Sequence, residues 1–174
     1  MTNNNDIDFQ VVIKKKRTLP NYFKASGVLL YRYNNYQEIE ILLGFDPKKR
    51  GFTIPGGKRE NLETPEETAI REFQEETGQV FDINIITNLF SKKKIINHNK
   101  YILFAMDVSL THQTSNIEKL YNDYVHSEKF TTSPLEMREM SYFNWFLLSD
   151  ILQYKVQTTS LIHKIINTKT INRL

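Results

Sequence analysis

Three glutamates, Glu72, Glu75 and Glu76, fall within a single helical turn of the segment Gly57–Gly78, GKRENLETPEETAIREFQEETG. At a period of about 3.6 residues, Glu72 is in register with both Glu75 and Glu76, so the three carboxylates share one face. Like charges at these spacings weaken an isolated helix by roughly 0.2–0.5 kcal/mol per pair. A bound cation would offset that cost. Oxygen-only ligands suit a hard divalent ion, Mg²⁺ or Mn²⁺ ahead of Zn²⁺. The same residues also read as a charged, solvated helix face, and on their own they do not separate the two readings. Arg71 flanks the carboxylates, and Glu63, just before the helix, is placed to pair with it.

The elements that must position these groups are legible around them. Thr64-Pro65-Glu66-Glu67 is a capping box with proline at the first helical position, and Gly78 supplies the residue that ends the helix. Between them Ala69, Ile70, Phe73 and Thr77 define a second face that should pack on a core. The carboxylates lie beside that face, which places them at the rim of the fold.

The whole segment resembles the signature of the Nudix hydrolases, G-x5-E-x7-R-E-U-x-E-E-x-G-U, where U is a bulky apolar residue. Gly57, Glu63, Arg71, Glu72, Glu75, Glu76 and Gly78 all match, and Phe73 is the first U. Gln79 departs, standing where the last U is expected, with Val80 after it. FTIPGGK before the segment and EMSYFNWFLLSDIL downstream are also similar to the family's layout. The resemblance implies an α/β Nudix fold, an α/β/α sandwich around a mixed β-sheet. It also implies hydrolysis of a diphosphate linkage in a nucleoside diphosphate-linked substrate, with Mg²⁺ or Mn²⁺ as cofactor. On the matching positions Glu72 and Glu76 are the expected main metal ligands, Glu75 completes the shell or binds a second ion, and the Gly56 carbonyl reaches the same metal. Arg71 is expected to orient the glutamates through Glu63. The general base in this family is either a signature glutamate or one from a distant loop, and Glu136 and Glu139 occupy the region for the latter, Glu139 being preferred.

Substrate contacts are expected from Arg50, Lys58 and Asn144, the last because an amide offers both a donor and an acceptor to a purine edge. Tyr101 lies beyond the position where a dinucleoside-polyphosphate tyrosine is expected. Three basic runs, Lys14–Arg17, Lys48–Arg50 and Lys92–Lys94, could attract a polyphosphate or an RNA backbone, or simply be solvated loops. His98, His112, His126 and His163 show no paired ligand spacing. The favoured substrate is a nucleoside triphosphate or related nucleotide. The alternatives are an mRNA-decapping or RNA 5′-end pyrophosphohydrolase, and a catalytically silent nucleotide sensor, against which the intact glutamate set argues.

The chain has 174 residues, 40% of them hydrophobic and 12% aromatic, with a net charge of +3 and no cysteine. That suggests one domain with a proper core and excludes disulfides and cysteine-ligated metals. With no apolar run of membrane-spanning length and no signal-peptide pattern, no membrane association and a cytoplasmic (or nuclear) location are the default. Residues 1–20 read as a polar lead-in with an edge strand at 9–13, and 21–174 as a single domain with an insertion at 111–134. Strands are expected at 23–33, 38–45, 52–54, 80–90, 100–110 and 140–146, the 80–90 and 100–110 strands paired through a basic loop. Short helices are expected at 150–154, capped by Ser149, and at 159–168. Within the insertion, Ile117, Leu120, Tyr121 and Tyr124 have helical spacing. Tyr121, Tyr124 and Phe130 are expected to seat it on the core, with stacking on a base as the alternative.

Overall fold

The computed structural model describes residues 22–110, 116–166, 171 and 174. In chain order these form β1 (Ala25–Tyr33), β2 (Ile39–Asp46), β3 (Gly51–Thr53), β4 (Gly56–Lys58), α1 (Pro65–Glu76), α2 (Ile83–Phe90), β5 (Lys94–His98), β6 (Tyr101–Asp107), α3 (Ile117–Val125), α4 (Glu128–Thr132), a 3₁₀ turn (Leu135–Arg138), β7 (Phe143–Leu147), α5 (Leu148–Leu152) and α6 (Ser160–Ile166). The expected lead-in and its edge strand at 9–13 lie outside the described residues, as do 111–115 at the start of the expected insertion.

Among the described residues, seven strands make one mixed sheet. β1 runs parallel to β6 along one edge. Along its other edge it changes partner, pairing antiparallel with β4 through Ala25–Gly27 and with β2 through Tyr31–Tyr33. β2 in turn pairs with β3 and β7, and β5 with β6. The segment 51–58 is therefore wedged where β1 and β2 part, and the Val28 N–H donates to Pro55 O at 2.9 Å. That wedge carries Pro55-Gly56-Gly57 into the sheet beneath α1.

Alternation along β1 builds two cores. Val28 and Leu30 join Ala69 and Phe73 of α1, Ile86 and Phe90 of α2, and Ile117, Tyr121 and Tyr124 of α3. Leu29 and Tyr31 join Ile151 of α5 and Ile162, Ile165 and Ile166 of α6 on the opposite face. Helices cover both faces, which explains why the strand reads as a continuous apolar run. The architecture is the expected α/β/α sandwich.

α1 starts as its sequence dictates: Thr64 accepts from the Glu67 N–H and the Glu67 side chain accepts from the Thr64 N–H. It ends at Thr77, and Gly78 follows at φ +62°, where a Cβ would run into the Tyr124 ring. Gln79 is also left-handed at φ 54° and exposed, so the apolar role of the last signature position passes to Val80, which packs on the α1-side core.

Four expectations need correction. The 80–90 segment is not a strand but contains α2. Its isoleucines favour β-structure in isolation, but Asp82 caps a helix by accepting from the Asn84 N–H, and Ile86, Leu89 and Phe90 pack at helical spacing on the α1-side core. The partner of β6 is instead β5, so the basic run does not end in a loop: Lys94 opens that strand. α5 starts at Leu148, with Leu147 at the cap position, so Ser149 lies inside it. Leu120, expected on the buried face of the inserted helix, is 38% exposed.

Candidate metal and catalytic site

Arg71 is the hub of the site. Its Nε donates to Glu63 Oε1 at 2.7 Å and Nη2 to Glu63 Oε2 at 3.2 Å, a two-point grip. Its Nη1 donates to Glu72 at 3.0 Å and to Glu75 at 2.9 Å, and Nη2 also reaches the Lys58 carbonyl at 2.9 Å. Glu63 additionally accepts from the Glu60 N–H at 3.0 Å and from Thr68 Oγ1 at 2.9 Å. The Arg71 hydrogen bond is the main reason that the Glu63 carboxyl is held down at about 2. The same contacts raise the guanidinium above its ordinary value.

Glu76 sits in the opposite condition. It is 4% exposed and accepts the Gly56 N–H at 2.7 Å. Burial pushes its carboxyl up to about 8, against the pull of that N–H and of Lys49. Glu72, half-buried between the two, is also pushed up by desolvation, partly countered by Arg71. The glycines before the helix permit this closeness. A Cβ at Gly57 would run into the Glu72 carboxylate, and one at Gly56 into Tyr101 Oη.

Facing the carboxylates is the β2–β3 loop. Asp46, 2% exposed, accepts the Lys48 and Lys49 N–H groups at 2.9 and 3.0 Å, and its other oxygen is 2.7 Å from Lys49 Nζ. Burial works against the Lys49 charge, but Asp46, with Glu76 and Glu139 further off, lifts its pKa above the ordinary value. Lys48 Nζ holds Glu139 at 2.9 Å. Glu139 is fixed from behind by the inserted helix: Tyr121 donates to Met140 O at 2.8 Å and Tyr124 to Met137 O at 3.2 Å. Both tyrosines are buried and Phe130 packs against their cluster, so these aromatic residues seat α3 and α4 on the core.

As they stand, the carboxylates do not converge. Among the described residues no three acidic, histidine or cysteine side chains are gathered closely enough to hold a metal ion, and Glu72 and Glu75 are both bonded to Arg71. The chemistry of the donor set still fits a hard cation. A buried and a half-buried carboxylate, both destabilised as anions, are neighbours on one helix face.

The structure brings Glu63, Arg71, Glu72, Glu75, Glu76 and Gly56 into one cluster, and Glu139 bears on it electrostatically through Glu72 and Glu76. Gly56 takes part through its N–H. Glu136 is exposed on the 3₁₀ turn. Lys58 enters through its backbone carbonyl, while its side chain is exposed. Arg50 is exposed and its carbonyl is taken by Gln157 at 2.8 Å, so Lys48 and Lys49 are the members of that run tied to the site. Asn144 is exposed on β7, with Oδ1 accepting the Trp145 N–H at 2.9 Å. That bond does not engage the carboxylates. His126 bonds the Asn122 carbonyl and His163 bonds Thr158, both away from the cluster; His112 lies outside the described residues. Of the basic run at 92–94, Lys93 is taken up by Glu66 at 2.8 Å and Lys94 by the Leu174 carbonyl at 3.2 Å. Sequence reading missed the anchoring of Lys49 by Asp46, which the turn-forming Asp46-Pro47 could have signalled. It also missed Thr68 as a partner of Glu63, and Tyr101 as a neighbour of Gly56.

Residues 23–161 match the NUDIX domain. The chain therefore belongs to the Nudix hydrolase family. A similar protein of Lactococcus lactis subsp. cremoris (strain MG1363), named a probable DHNTP pyrophosphohydrolase, is 29% identical over 92 residues, which cover 49% of this chain and 55% of that protein. The chain thus spans about half the length of that curated relative. Among solved structures, an Ap4A hydrolase from C. elegans is 15% identical, with 87% of this chain and 97% of that one covered at a TM-score of 0.50. A candidate NUDIX hydrolase from Listeria monocytogenes is 14% identical, with 86% and 95% covered, also at 0.50. At these identities the likeness is one of fold. Among the described residues no helix is long and apolar enough to cross a membrane.

Proposed function

We propose that this chain is a divalent-metal-dependent Nudix pyrophosphohydrolase that cleaves a diphosphate linkage in a nucleoside triphosphate or related nucleotide. The observation that carries this reading is Glu76, a carboxylate only 4% exposed that sits on the face shared with Glu72 and is pushed up to about 8. Such a group is costly to keep charged in isolation and is stabilised by a hard cation. The pyrophosphohydrolase name of the Lactococcus lactis relative supports the reaction class.

Glu72 and Glu76 would hold the ion with the Gly56 carbonyl, and Glu75 would complete the shell. Mg²⁺ or Mn²⁺, when bound, neutralises phosphate charge and lowers the pKa of a coordinated water. The chain's own residues do the rest. Arg71, braced by Glu63 and Thr68, keeps Glu72 and Glu75 on one side of the site. Lys49, fixed by Asp46, supplies a cation at the mouth for a phosphate oxygen. Glu139, released from Lys48 as a phosphate draws that lysine away, takes the proton of the attacking water.

The test is a Mg²⁺- and Mn²⁺-dependent phosphate- and pyrophosphate-release screen, with Glu76→Gln as the blank. The panel holds nucleoside triphosphates, dinucleoside polyphosphates, ADP-ribose, nucleotide sugars and capped RNA. Turnover of triphosphates that needs the metal and is lost in Glu76→Gln is the expected result. Metal-independent turnover, or turnover retained by the variant, overturns the assignment.

A further inference from the structure

The β2–β3 hairpin carries two unlike surfaces. In β2, Leu42 belongs to the α1-side core, while Ile41 and Leu43 belong to the α5–α6 core. The same alternation turns Asp46 towards the carboxylate side, where it holds Lys49, and Phe45 towards the other. Phe45 pairs with Phe52 of β3, their rings 5.3 Å apart. Tyr142 joins them from the segment before β7, because the Phe45 N–H donates to the Tyr142 carbonyl and the Ser141 N–H to the Phe45 carbonyl, each at 2.9 Å. Four sequence-distant aromatic side chains are gathered in this way, Phe146 being 4.5 Å from Phe52.

The rings form a platform. Tyr142 lies against Phe45 at 14° and 5.5 Å, and Phe52 stands at 84° to Tyr142 and 70° to Phe45. Phe45 therefore covers one face of the Tyr142 ring while Phe52 buttresses the pair from the side. Phe45 and Phe52 are half-buried, but Tyr142 is 46% exposed, so its other face is open to a ligand. The tip of the same hairpin is Lys48-Lys49-Arg50. Glu139 and Asp46 hold the two lysines, whereas Arg50 is exposed and its guanidinium has no ion pair among the described residues. Gln157 pins the Arg50 carbonyl at 2.8 Å, which fixes the turn beside the rings. Tyr142 follows Glu139 by three residues, so its backbone lies within roughly 11 Å of the mouth of the carboxylate site.

An apolar patch by itself suits many partners. A braced ring with one free face, next to an uncompensated guanidinium, suits a base joined to a phosphate. We infer that this platform binds single-stranded nucleic acid, with a base stacked on Tyr142 and an adjoining phosphate on Arg50. That a 5′-triphosphate end of such a strand then reaches Lys49 and the carboxylates rests on the reading above; the stacking does not.

The experiment measures binding of a short 5′-hydroxyl single-stranded oligoribonucleotide in EDTA, across a salt series, to wild type, Tyr142→Phe, Tyr142→Leu and Arg50→Gln. Tyr142→Leu keeps an apolar side chain and removes the ring, and affinity should fall about 5–100-fold. Tyr142→Phe should bind like wild type. Arg50→Gln, whose side chain is on the surface, should reduce the slope of log affinity against log salt by about 0.7. Mg²⁺-dependent turnover of a free nucleoside triphosphate should be unchanged in Tyr142→Leu. No binding by wild type, equal binding by Tyr142→Leu, or equal affinity for a duplex overturns the inference. So does a wild-type dimer that Tyr142→Leu dissociates without any effect on the oligonucleotide, which would make the patch a contact between copies. Loss of free-triphosphate turnover in Tyr142→Leu also overturns it, by seating the base of a small substrate on the ring. Strand binding with no turnover of any substrate in wild type instead removes the catalytic reading and leaves the platform standing.

Discussion

Glu63 and Glu76 bracket α1 and belong to the same signature, but the fold treats them in opposite ways. Glu63 takes two bonds from the Arg71 guanidinium, one from Thr68 and one from the Glu60 backbone, and its carboxyl is held at about 2. Glu76 takes one bond from the Gly56 backbone, is buried, and is pushed up to about 8. One glutamate is surrounded by four donors; the other has one and is walled off from water. Glu72 stands between them, held by Arg71 yet destabilised by burial. The contrast is between a carboxylate that the surrounding donors keep charged and one that burial keeps from charging.

The comparison breaks most sharply at Glu76. Glu76→Gln keeps the side-chain shape and removes the charge, and turnover should fall roughly 10²–10³-fold, the scale of losing a preorganised electrostatic group. Metal-free stability at pH 8 should rise in the same variant, since a buried acid is gone. A variant that stays active, or one that loses stability in EDTA, would place Glu76 with the scaffold glutamates.

Arg71→Met should do the reverse. It leaves Glu63, Glu72 and Glu75 without their common partner in a partly buried cluster, where Arg71 is 22% exposed. Removing one member of a fully buried pair costs about 3–5 kcal/mol, and the residual exposure here reduces that to about 2–3 kcal/mol. Urea unfolding checks it, and a loss below about 1 kcal/mol would mean that solvent already screens the cluster.

The two glutamates should also leave opposite marks on stability against pH. Glu63, depressed from 4.5 to about 2, contributes stability that is complete above pH 4.5 and is lost as the pH falls towards 2. Glu76, raised from 4.5 to about 8, contributes stability that is complete below pH 4.5 and is lost as the pH climbs through 8. Each slope is at most about 1.4 kcal/mol per pH unit. Unfolding free energies in EDTA should show both limbs in wild type, the limb below pH 4.5 reduced in Glu63→Gln and the limb between pH 4.5 and 8 reduced in Glu76→Gln. Saturating Mg²⁺ should flatten the second limb only; if it leaves that limb unchanged, Glu76 is not a ligand.

The scaffold half was readable in the sequence because it is local. The capping box, the proline at the first turn and the Glu72/Glu75/Glu76 spacing lie within a few residues of one another, and α1 forms as they require. The apolar runs of β1, β2 and β6 were readable because a strand covered on both faces has no polar positions to hide it. What could not be read depends on long-range register. Tyr101 meets Gly56 only because β6 pairs with β1 and β4 pairs with β1. Glu139 faces the carboxylates because two tyrosines of α3 tie down the backbone around it. The segment containing α2 misled for another reason: side chains that favour a strand locally were folded into a helix by the Asp82 cap and by packing at Phe104 and Phe90.

The smallest expected effect lies at Lys92, on the surface next to α2. Its neighbours Lys93 and Lys94 are engaged by Glu66 and by the Leu174 carbonyl, which leaves Lys92 to report what that stretch of surface does for a polyanion. Lys92→Ala should change stability by less than about 0.5 kcal/mol and leave turnover of a nucleoside triphosphate where it was. Binding of capped RNA to wild type and variant across a salt series is the sharper measurement, because each phosphate contact adds about one unit to the slope of log affinity against log salt. Equal slopes confine the chemistry to the carboxylate cluster and the Lys49 side of its mouth. A slope smaller by about one in the variant would extend the substrate path across α2, and would turn the small-nucleotide reading towards RNA ends.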